Sequence, residues 1–157
     1  MTSLFANQRE SNLSSTVQLV EAALAEIGHP APKSRVKDAT ALHAWEIPKG
    51  SAVTRVVLLN RAEFTHIRVC AIVMTLDPKV DRPALHQHLL ELNGELCGAA
   101  FATEGDEVLL LGERSTLDLD RSEVLELIRR VTTYADDHDD VLVARFGGSI
   151  GVSTAAT

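Results

Sequence analysis

Hydrophobic residues recur at spacings of three and four positions in three stretches of the chain, and each stretch predicts an amphipathic helix. The first begins after Ser14-Ser15-Thr16, whose hydroxyl oxygens are typical of a helix N-cap, and it ends at Gly28 and Pro30. One apolar stripe runs along it, formed by Val17, Val20, Leu24 and Ile27. A single stripe indicates a helix that lies flat on another layer.

Three segments of strand character follow, separated by turn residues: Thr40 to Ile47, Val53 to Leu59 and Phe64 to Met74. Short connections make neighbouring strands antiparallel, so the segments predict a meander. In the third segment one face is apolar throughout, whereas the other begins polar and ends apolar. That second face carries His66, Arg68, Cys70, Ile72 and Met74. Its apolar end predicts coverage on both sides of the sheet, by a helix or by a second subunit.

The second helix is predicted to begin near Asp81-Arg82-Pro83 and to end at Leu92 or Asn93. Its apolar arc is wider than one flat contact requires. The arc is formed by Leu85, His86, Leu89, Leu90, Leu92 and Asn93. We therefore expect one side of this helix to face the sheet and the other to face a partner.

A hairpin from Cys97 to Glu113 leads into the last helix, where Asp120 and Glu123 have the spacing of a capping box. An apolar stripe then continues to Phe146. This pattern predicts a helix of about 26 residues, roughly 39 Å long. A strand of about six residues spans only roughly 20 Å, so we expect the helix to overhang the sheet. The overhang, with Leu142 and Phe146, is predicted to be a docking surface.

Together these patterns predict an α+β fold in the order α-β-β-β-α-β-β-α, with a single antiparallel sheet and helices packed mainly on one face. A chain of 157 residues fits one domain with one core. We expect residues 1–11 to be a disordered lead and residues 149–157 to be a frayed tail. The domain itself is predicted to span residues 12–148.

Several features occur in a fixed order in the second half of the chain. They are Leu92-Asn93-Gly94-Glu95-Leu96, the strand from Cys97 to Ala102, the Glu104-Gly105-Asp106 turn, the strand from Glu107 to Leu111, and Gly147-Gly148. With the preceding strands, this order resembles the YbjN-like domain, which is similar in fold to the small class I chaperones of type III secretion. The resemblance implies a homodimer and a regulatory role in sensory or stress responses.

Composition and charge narrow the classes of partner. Aromatic residues make up only 4% of the chain, so few rings are present on which bases could stack. The net charge of −7 repels phosphate groups. We therefore expect no nucleic acid partner. The sequence also shows no signal-peptide pattern and no apolar run near the length of a membrane span, so we expect a cytoplasmic protein without a membrane partner.

The side chains that could carry chemistry are isolated from one another. Cys70 and Cys97 fall within apolar strand patterns, which predicts reduced, buried thiols rather than nucleophiles. His86 and His88 lie about 200° apart on a helix and cannot bind one ion together. The run from Asp136 to Asp140 spreads its carboxylates over a broad solvent arc, which indicates a solvated helix face rather than a metal site. We expect no catalytic residue, no metal and no cofactor.

Two hypotheses about function follow. The first is a non-enzymatic module, chaperone-like or regulatory, that binds an unidentified protein partner as a homodimer. The second is a small-molecule sensor or an enzyme with a pocket between the last helix and the sheet. For the first hypothesis, the candidate dimer or partner surface consists of His86, Leu90, Asn93, Ile72, Met74, His138, Leu142 and Phe146.

Overall fold

The structure is a computed structural model that describes residues 2–49, 52–61 and 64–151. These residues form four helices and seven strands. In chain order the elements are α1 (Thr2–Glu26), α2 (Ala31–Ser34), β1 (Arg35–Val36), β2 (His43–Lys49), β3 (Ala52–Arg61), β4 (Phe64–Thr75), α3 (Arg82–Asn93), β5 (Ala100–Glu104), β6 (Glu107–Ser115), α4 (Arg121–Phe146) and β7 (Ser149–Ile150).

All strands pair antiparallel in one sheet of order β1-β2-β3-β4-β6-β5, and β7 adds to β4. The predicted α+β fold with a single antiparallel sheet is therefore confirmed. The predicted order of elements is also found, with three short elements added to it: α2, β1 and β7. Elements of two to four residues carry no periodicity that a sequence pattern can reveal.

The core lies between one face of the sheet and the helices. Alternate residues of β4 are fully buried on this face, namely Ile67, Val69, Ala71 and Val73. The helices contribute apolar stripes to the same core, including Val20 and Leu24 of α1 and Leu85 of α3. This one-sided burial follows from the period-two alternation of β4.

α4 begins as the sequence predicts. The Asp120 carboxylate accepts a hydrogen bond from the backbone N–H of Glu123, and the Glu123 carboxylate accepts one from the backbone N–H of Asp120. These two bonds satisfy donors that a helix start leaves without partners. The helix then runs without a break through the acidic residues to Phe146.

The start of α1 differs from the prediction. The helix begins at Thr2, so the expected disordered lead over residues 1–11 is wrong for the part that the structure describes. No Gly or Pro interrupts this stretch, and helix propagation adds one hydrogen bond for each residue. Ser15 and Thr16 do not cap the helix. Their hydroxyls donate to the carbonyls of Ser11 and Asn12, one turn earlier.

The expected overhang of the last helix is also wrong. β4 has 12 residues and spans about 40 Å, which matches the roughly 39 Å of the 26-residue α4. α4 packs on β4, β6 and β3 of the sheet and against α1. Leu142, predicted to lie on the docking surface, is only 1% exposed and belongs to the core.

A β-bulge in β4 moves Met74 off the sheet face that it was predicted to share with Cys70 and Ile72. The pairing with β6 shifts register between Ile72 and Met74. Because a bulge interrupts the alternation of side chains, both Val73 and Met74 are buried. Met74 is 0% exposed, so its assignment to a partner surface is wrong.

Cys97 is not part of a strand. β5 begins at Ala100, and Cys97 is exposed in the turn before it. Gly98 follows with a φ of +67°, which breaks the extended backbone that a strand requires. The prediction that the Cys97 thiol is buried is therefore wrong.

The chain after α4 returns to the sheet. Ser149 and Ile150 form β7 and pair with Thr75 and Met74 of β4. Ser149 and Ile150 were predicted to belong to a frayed tail. A side chain at Gly148 would meet the carbonyl oxygen of Thr75, since a Cβ there would lie 2.4 Å from that atom. The glycine thus permits the close approach of the returning chain. Residues 152–157 of the predicted tail lie outside the described residues.

Candidate functional site

An apolar groove lies between the end of α1, the strand β2 and the first half of α4. Its volume is about 620 Å³. Ile47 and Ile128 form its floor and are almost fully buried, whereas Ile27 on its wall is 41% exposed. The remaining lining residues are His29, Pro48, Ser122, Leu125, Glu126, Arg129 and Thr132. The groove therefore offers an apolar surface that a folded monomer normally covers.

The groove runs beside a strand edge that is free over part of its length. β2 spans His43–Lys49, but β1 pairs only with Ala44 and Trp45. No strand among the described residues pairs with the outer side of β2 beyond Trp45. Pro48 lies in this free part, and proline is tolerated in sheets at such edges because it has no N–H to donate. Unpaired backbone groups thus lie next to apolar side chains.

Charged side chains surround the groove unevenly. Arg121 of α4 and Glu26 of α1 lie 3.4 Å apart and link these two helices. Glu126 forms an ion pair with Arg130 one turn later. Arg129 has no ion-pair partner among the side chains that the structure describes, and it is exposed. The groove therefore presents one uncompensated positive charge beside its apolar floor.

At the opposite edge of the sheet, a side chain binds the backbone of one residue of β5. The Asn93 carboxamide oxygen accepts a hydrogen bond of 2.7 Å from the backbone N–H of Phe101, and its amide nitrogen donates to the Phe101 carbonyl at 3.2 Å. Asn93 thus satisfies both backbone groups that Phe101, in the edge strand β5, would otherwise offer to another strand. At Phe101, β5 is therefore not open to a further strand, whereas β2 has no strand partner on its outer side beyond Trp45 among the described residues.

The face of the sheet opposite the core carries ion pairs at its centre. Glu113 accepts hydrogen bonds from Arg61 at 2.9 Å and from Arg68 at 2.6 Å, and Arg55 donates to Glu46 at 2.6 Å. Burial alone would raise the pKa of Glu113, but the bonds from the two arginines outweigh it and hold that pKa below its usual range. The charges on this face are thus largely paired within the monomer.

The other end of that face is apolar and half-buried. It carries Cys70 and Ile72 of β4, which lie opposite Leu111 and Leu109 of β6 in the register. Burial raises the pKa of the Cys70 thiol, which keeps it protonated and unreactive near neutral pH.

The eight residues predicted to form the partner surface fall into three groups. Exposed or half-buried positions include His86, Leu90 and Ile72, and Leu90 is 71% exposed. Met74 and Leu142 are core residues. The structure therefore does not bring the predicted set together as one surface.

Three more of the predicted residues make contacts within the chain. Asn93 binds the backbone N–H and carbonyl of Phe101. His138 shares a hydrogen bond of 2.8 Å with the carbonyl of Tyr134, and its ring meets Phe101 edge-on. Phe146 is half-buried, with its ring centroid 5.5 Å from that of His88. These contacts have structural roles in the monomer.

The sequence prediction missed the residues that line the groove. Ile27 was assigned to the stripe of the first helix, and the stripe predicted for the last helix includes Ile128, but neither was given a surface role. Leu125 and Arg129 were not singled out. Pro48 carried the clearest signal, because proline in a strand pattern indicates an edge strand. The sequence alone does not show that α1, β2 and α4 leave a gap between them.

Within residues 2–49, 52–61 and 64–151, no three His, Cys, Asp or Glu side chains come together in a way that could hold a metal ion. None of the helices in this part of the chain is long and apolar enough to cross a membrane.

A free strand edge beside an apolar groove is the arrangement by which sheet proteins hold extended peptides. The peptide backbone pairs with the strand, and alternate side chains enter the groove. The fold and the groove therefore place this chain in the class of α+β proteins with a surface suited to extended peptides.

A family model described as "T3SS (YopN, CesT) and YbjN peptide-binding chaperone 1" matches residues 14–153. Because this match spans most of the chain, the protein belongs to that family, TY-Chap1. The resemblance to YbjN-like domains is thereby confirmed. No curated protein matches the chain closely enough in sequence to count as a relative.

Solved structures similar to this chain include secretion chaperones. A chain of the ExsC-ExsE complex superposes with a TM-score of 0.58 at 16% identity, covering 82% of this chain and 94% of that chain. An uncharacterized protein from Methanothermobacter thermautotrophicus gives a TM-score of 0.61 at 14% identity, covering 83% and 98%. The complex of the Yersinia pestis type III secretion chaperone SycH with a YscM2 fragment gives 0.52 at 15% identity, covering 76% and 96%. These likenesses show a shared fold.

Proposed function

We propose that this chain is a non-enzymatic, chaperone-like protein that binds an extended segment of a partner protein along the free edge of β2. The observation that carries the proposal is the position of the apolar groove directly beside that edge. Membership of a family described as peptide-binding chaperones supports it. So does the structural likeness to proteins solved in complexes such as ExsC-ExsE and SycH-YscM2.

The proposed binding mode has two parts with different physical roles. Backbone pairing beyond Trp45 supplies affinity that does not depend on the partner's sequence. Apolar side chains at alternate positions of the partner strand enter the groove between Ile27 and Leu125 and supply selectivity. The unpaired Arg129 favours a partner segment with an acidic residue next to its apolar ones.

A library of random linear peptides displayed on phage tests this function without knowledge of the natural partner. An enriched peptide, made synthetically, is titrated against the native chain and against Ile27→Asp. We expect the substitution to weaken binding by roughly tenfold or more, about 1.4 kcal/mol, because it places a charge on the apolar wall. Leu117→Asp is the matched control, since Leu117 is 61% exposed and lies outside the groove.

The position of binding is checked by amide chemical shifts. Shifts on addition of the peptide should cluster on β2 and the first half of α4. Equal affinity of the native chain and Ile27→Asp, with shifts on the opposite face of the sheet, would reject the groove as the peptide site.

The second hypothesis, a small-molecule sensor or an enzyme with a pocket between the last helix and the sheet, has one observation in its favour. The groove lies between α4 and β2, and its volume of about 620 Å³ falls within the range of small-molecule sites. Its floor is apolar, and the side chains of Ser122, Glu126 and Thr132 already bond to Asp120, Arg130 and the Ile128 carbonyl, whereas a catalytic site needs polar groups that face the substrate. An aromatic sulfonate dye that binds apolar surfaces is used as a probe of the groove to distinguish peptide binding from small-molecule binding. Displacement of the dye by the enriched peptide favours peptide binding.

We further propose a homodimer, a regulatory role and a cytoplasmic location. The exposed side of α3, with His86 and Leu90, supports a second copy as a partner, because an exposed Leu contributes nothing to the monomer core. The regulatory role rests on the resemblance to YbjN-like domains described from the sequence. The two free cysteines, Cys70 and Cys97, agree with a reducing compartment. Fractionation of the source cells tests the location.

A further inference from the structure

A compact cluster of side chains holds β1 on the edge of β2. The Arg35 guanidinium donates a hydrogen bond of 2.6 Å to Nδ1 of His43. It also lies 5.8 Å from the centroid of the Trp45 ring and 3.5 Å from the carboxylate of Glu21 on α1. Arg35 is half of the two-residue strand β1, so these contacts fasten that strand to β2 and to α1.

The cluster requires a neutral histidine. A guanidinium has donors only, so the ring nitrogen of His43 that faces Arg35 must be unprotonated to accept the bond. Protonation of His43 would remove this acceptor and place two positive charges about 3 Å apart. Geometry alone therefore links the position of Arg35 to the protonation state of His43.

The groups around His43 set the direction of the effect. Burial lowers the pKa of His43 from its ordinary value of 6.5, Arg35 lowers it further, and Glu21 acts in the opposite direction. Glu21 already accepts a bond of 3.3 Å from the indole nitrogen of Trp45. On β3 the residue opposite His43 is Leu58, which carries no charge.

The sign of the pH effect follows from linkage. When β1 detaches, the pKa of His43 returns towards 6.5, so the detached form takes up a proton more readily than the attached form. The stabilisation of the attached form is complete above about pH 6.5 and is lost as the pH falls towards the lowered pKa.

We propose that Glu21, Arg35, His43 and Trp45 form a pH-sensitive clasp, which releases β1 when His43 is protonated and frees the whole edge of β2 for a partner strand. With β1 attached, only the part of β2 beyond Trp45 is open. With β1 detached, the seven residues His43–Lys49 are open. The role of the partner strand rests on the proposed peptide binding, whereas the release of β1 does not.

The test uses the chain without any partner, so its failure is distinguishable from failure of peptide binding. Hydrogen exchange at Arg35, Val36, Ala44 and Trp45 is compared at about pH 7.5 and about pH 5, after correction for intrinsic rates. We expect exchange in the native chain to be faster at the lower pH by roughly threefold or more. Trp45, the single tryptophan, gives a second readout, because its emission should shift to the red as it loses the cover of Arg35.

The His43→Asn variant is the critical comparison. Its side-chain oxygen can accept the bond from Arg35, but it never becomes charged, so the difference between the two pH values should disappear. His86→Asn makes the same chemical change on the exposed side of α3 and should behave as the native chain. Arg35→Gln removes the opposing charge instead and should also abolish the difference, which keeps the test usable if His43→Asn fails to fold. A pH difference that persists in either clasp variant overturns the proposal, as does its absence from the native chain.

Discussion

At the scale of single residues, the two cysteines have opposite environments. Cys70 is half-buried on β4, and burial raises the pKa of its thiol, whereas Cys97 is exposed in the turn before β5. Because the thiolate is the reactive species, we expect Ellman's reagent to label Cys97 quickly in the native state and Cys70 only slowly. Cys97→Ser should remove the fast phase. Fast labelling that survives in this variant would contradict the assignment.

The side chain of Asn93 stabilises the edge strand β5 at Phe101. Asn93→Ala removes both side-chain bonds to the Phe101 backbone and should lower the free energy of unfolding by about 1–3 kcal/mol. Asn93→Asp keeps the acceptor for the Phe101 N–H but places a carboxylate oxygen against the Phe101 carbonyl oxygen, so it should also be less stable than the native chain. Urea denaturation measures both changes. An alanine variant as stable as the native chain would show that β5 does not need these two bonds.

At the scale of elements, α4 stabilises the fold through the face that covers β4. Leu142 is 1% exposed, so Leu142→Ala should cost about 2–5 kcal/mol of unfolding free energy. The neighbouring Val141 is 58% exposed, and Val141→Ala should change stability by less than about 0.5 kcal/mol. Chemical denaturation of both variants decides the matter. Similar costs for the two changes would mean that α4 packs on a different face.

The groove also belongs to the scale of elements, because no single element contains it. The turn after α1 supplies Ile27, β2 supplies Ile47 and Pro48, and α4 supplies Leu125 and Ile128. Two helices on one sheet face leave a gap wherever their ends diverge from the sheet edge. The side chains at such a gap cannot pack fully, which leaves apolar surface for a partner.

At the scale of the whole molecule, the association of two copies can be measured directly in solution. For the proposed homodimer, we expect sedimentation equilibrium at micromolar concentration to give about twice the chain mass of 17.0 kDa. Leu90→Asp should shift the equilibrium towards the monomer, because it places a charge in the proposed contact. Leu117→Asp is the matched control on a different exposed leucine. A native chain that sediments as a monomer would reject the dimer.

The sequence by itself determined the order and type of the long elements. Period-two alternation in β4, the apolar stripe of α4 and the capping box at Asp120 are local patterns, and each reports the burial of its own element. Because short connections force neighbouring strands to pair antiparallel, these local patterns were enough to predict the single sheet with helices on one face.

Only the tertiary structure decided which residues are free to bind. The bulge that buries Met74, the matched lengths of α4 and β4 that bury Leu142, and the capture of the Phe101 backbone by Asn93 all depend on contacts between distant parts of the chain. The groove beside β2 arises in the same way, from the spacing of three elements. A sequence pattern records which face of an element is apolar. Whether another element covers that face is decided only when the elements pack together.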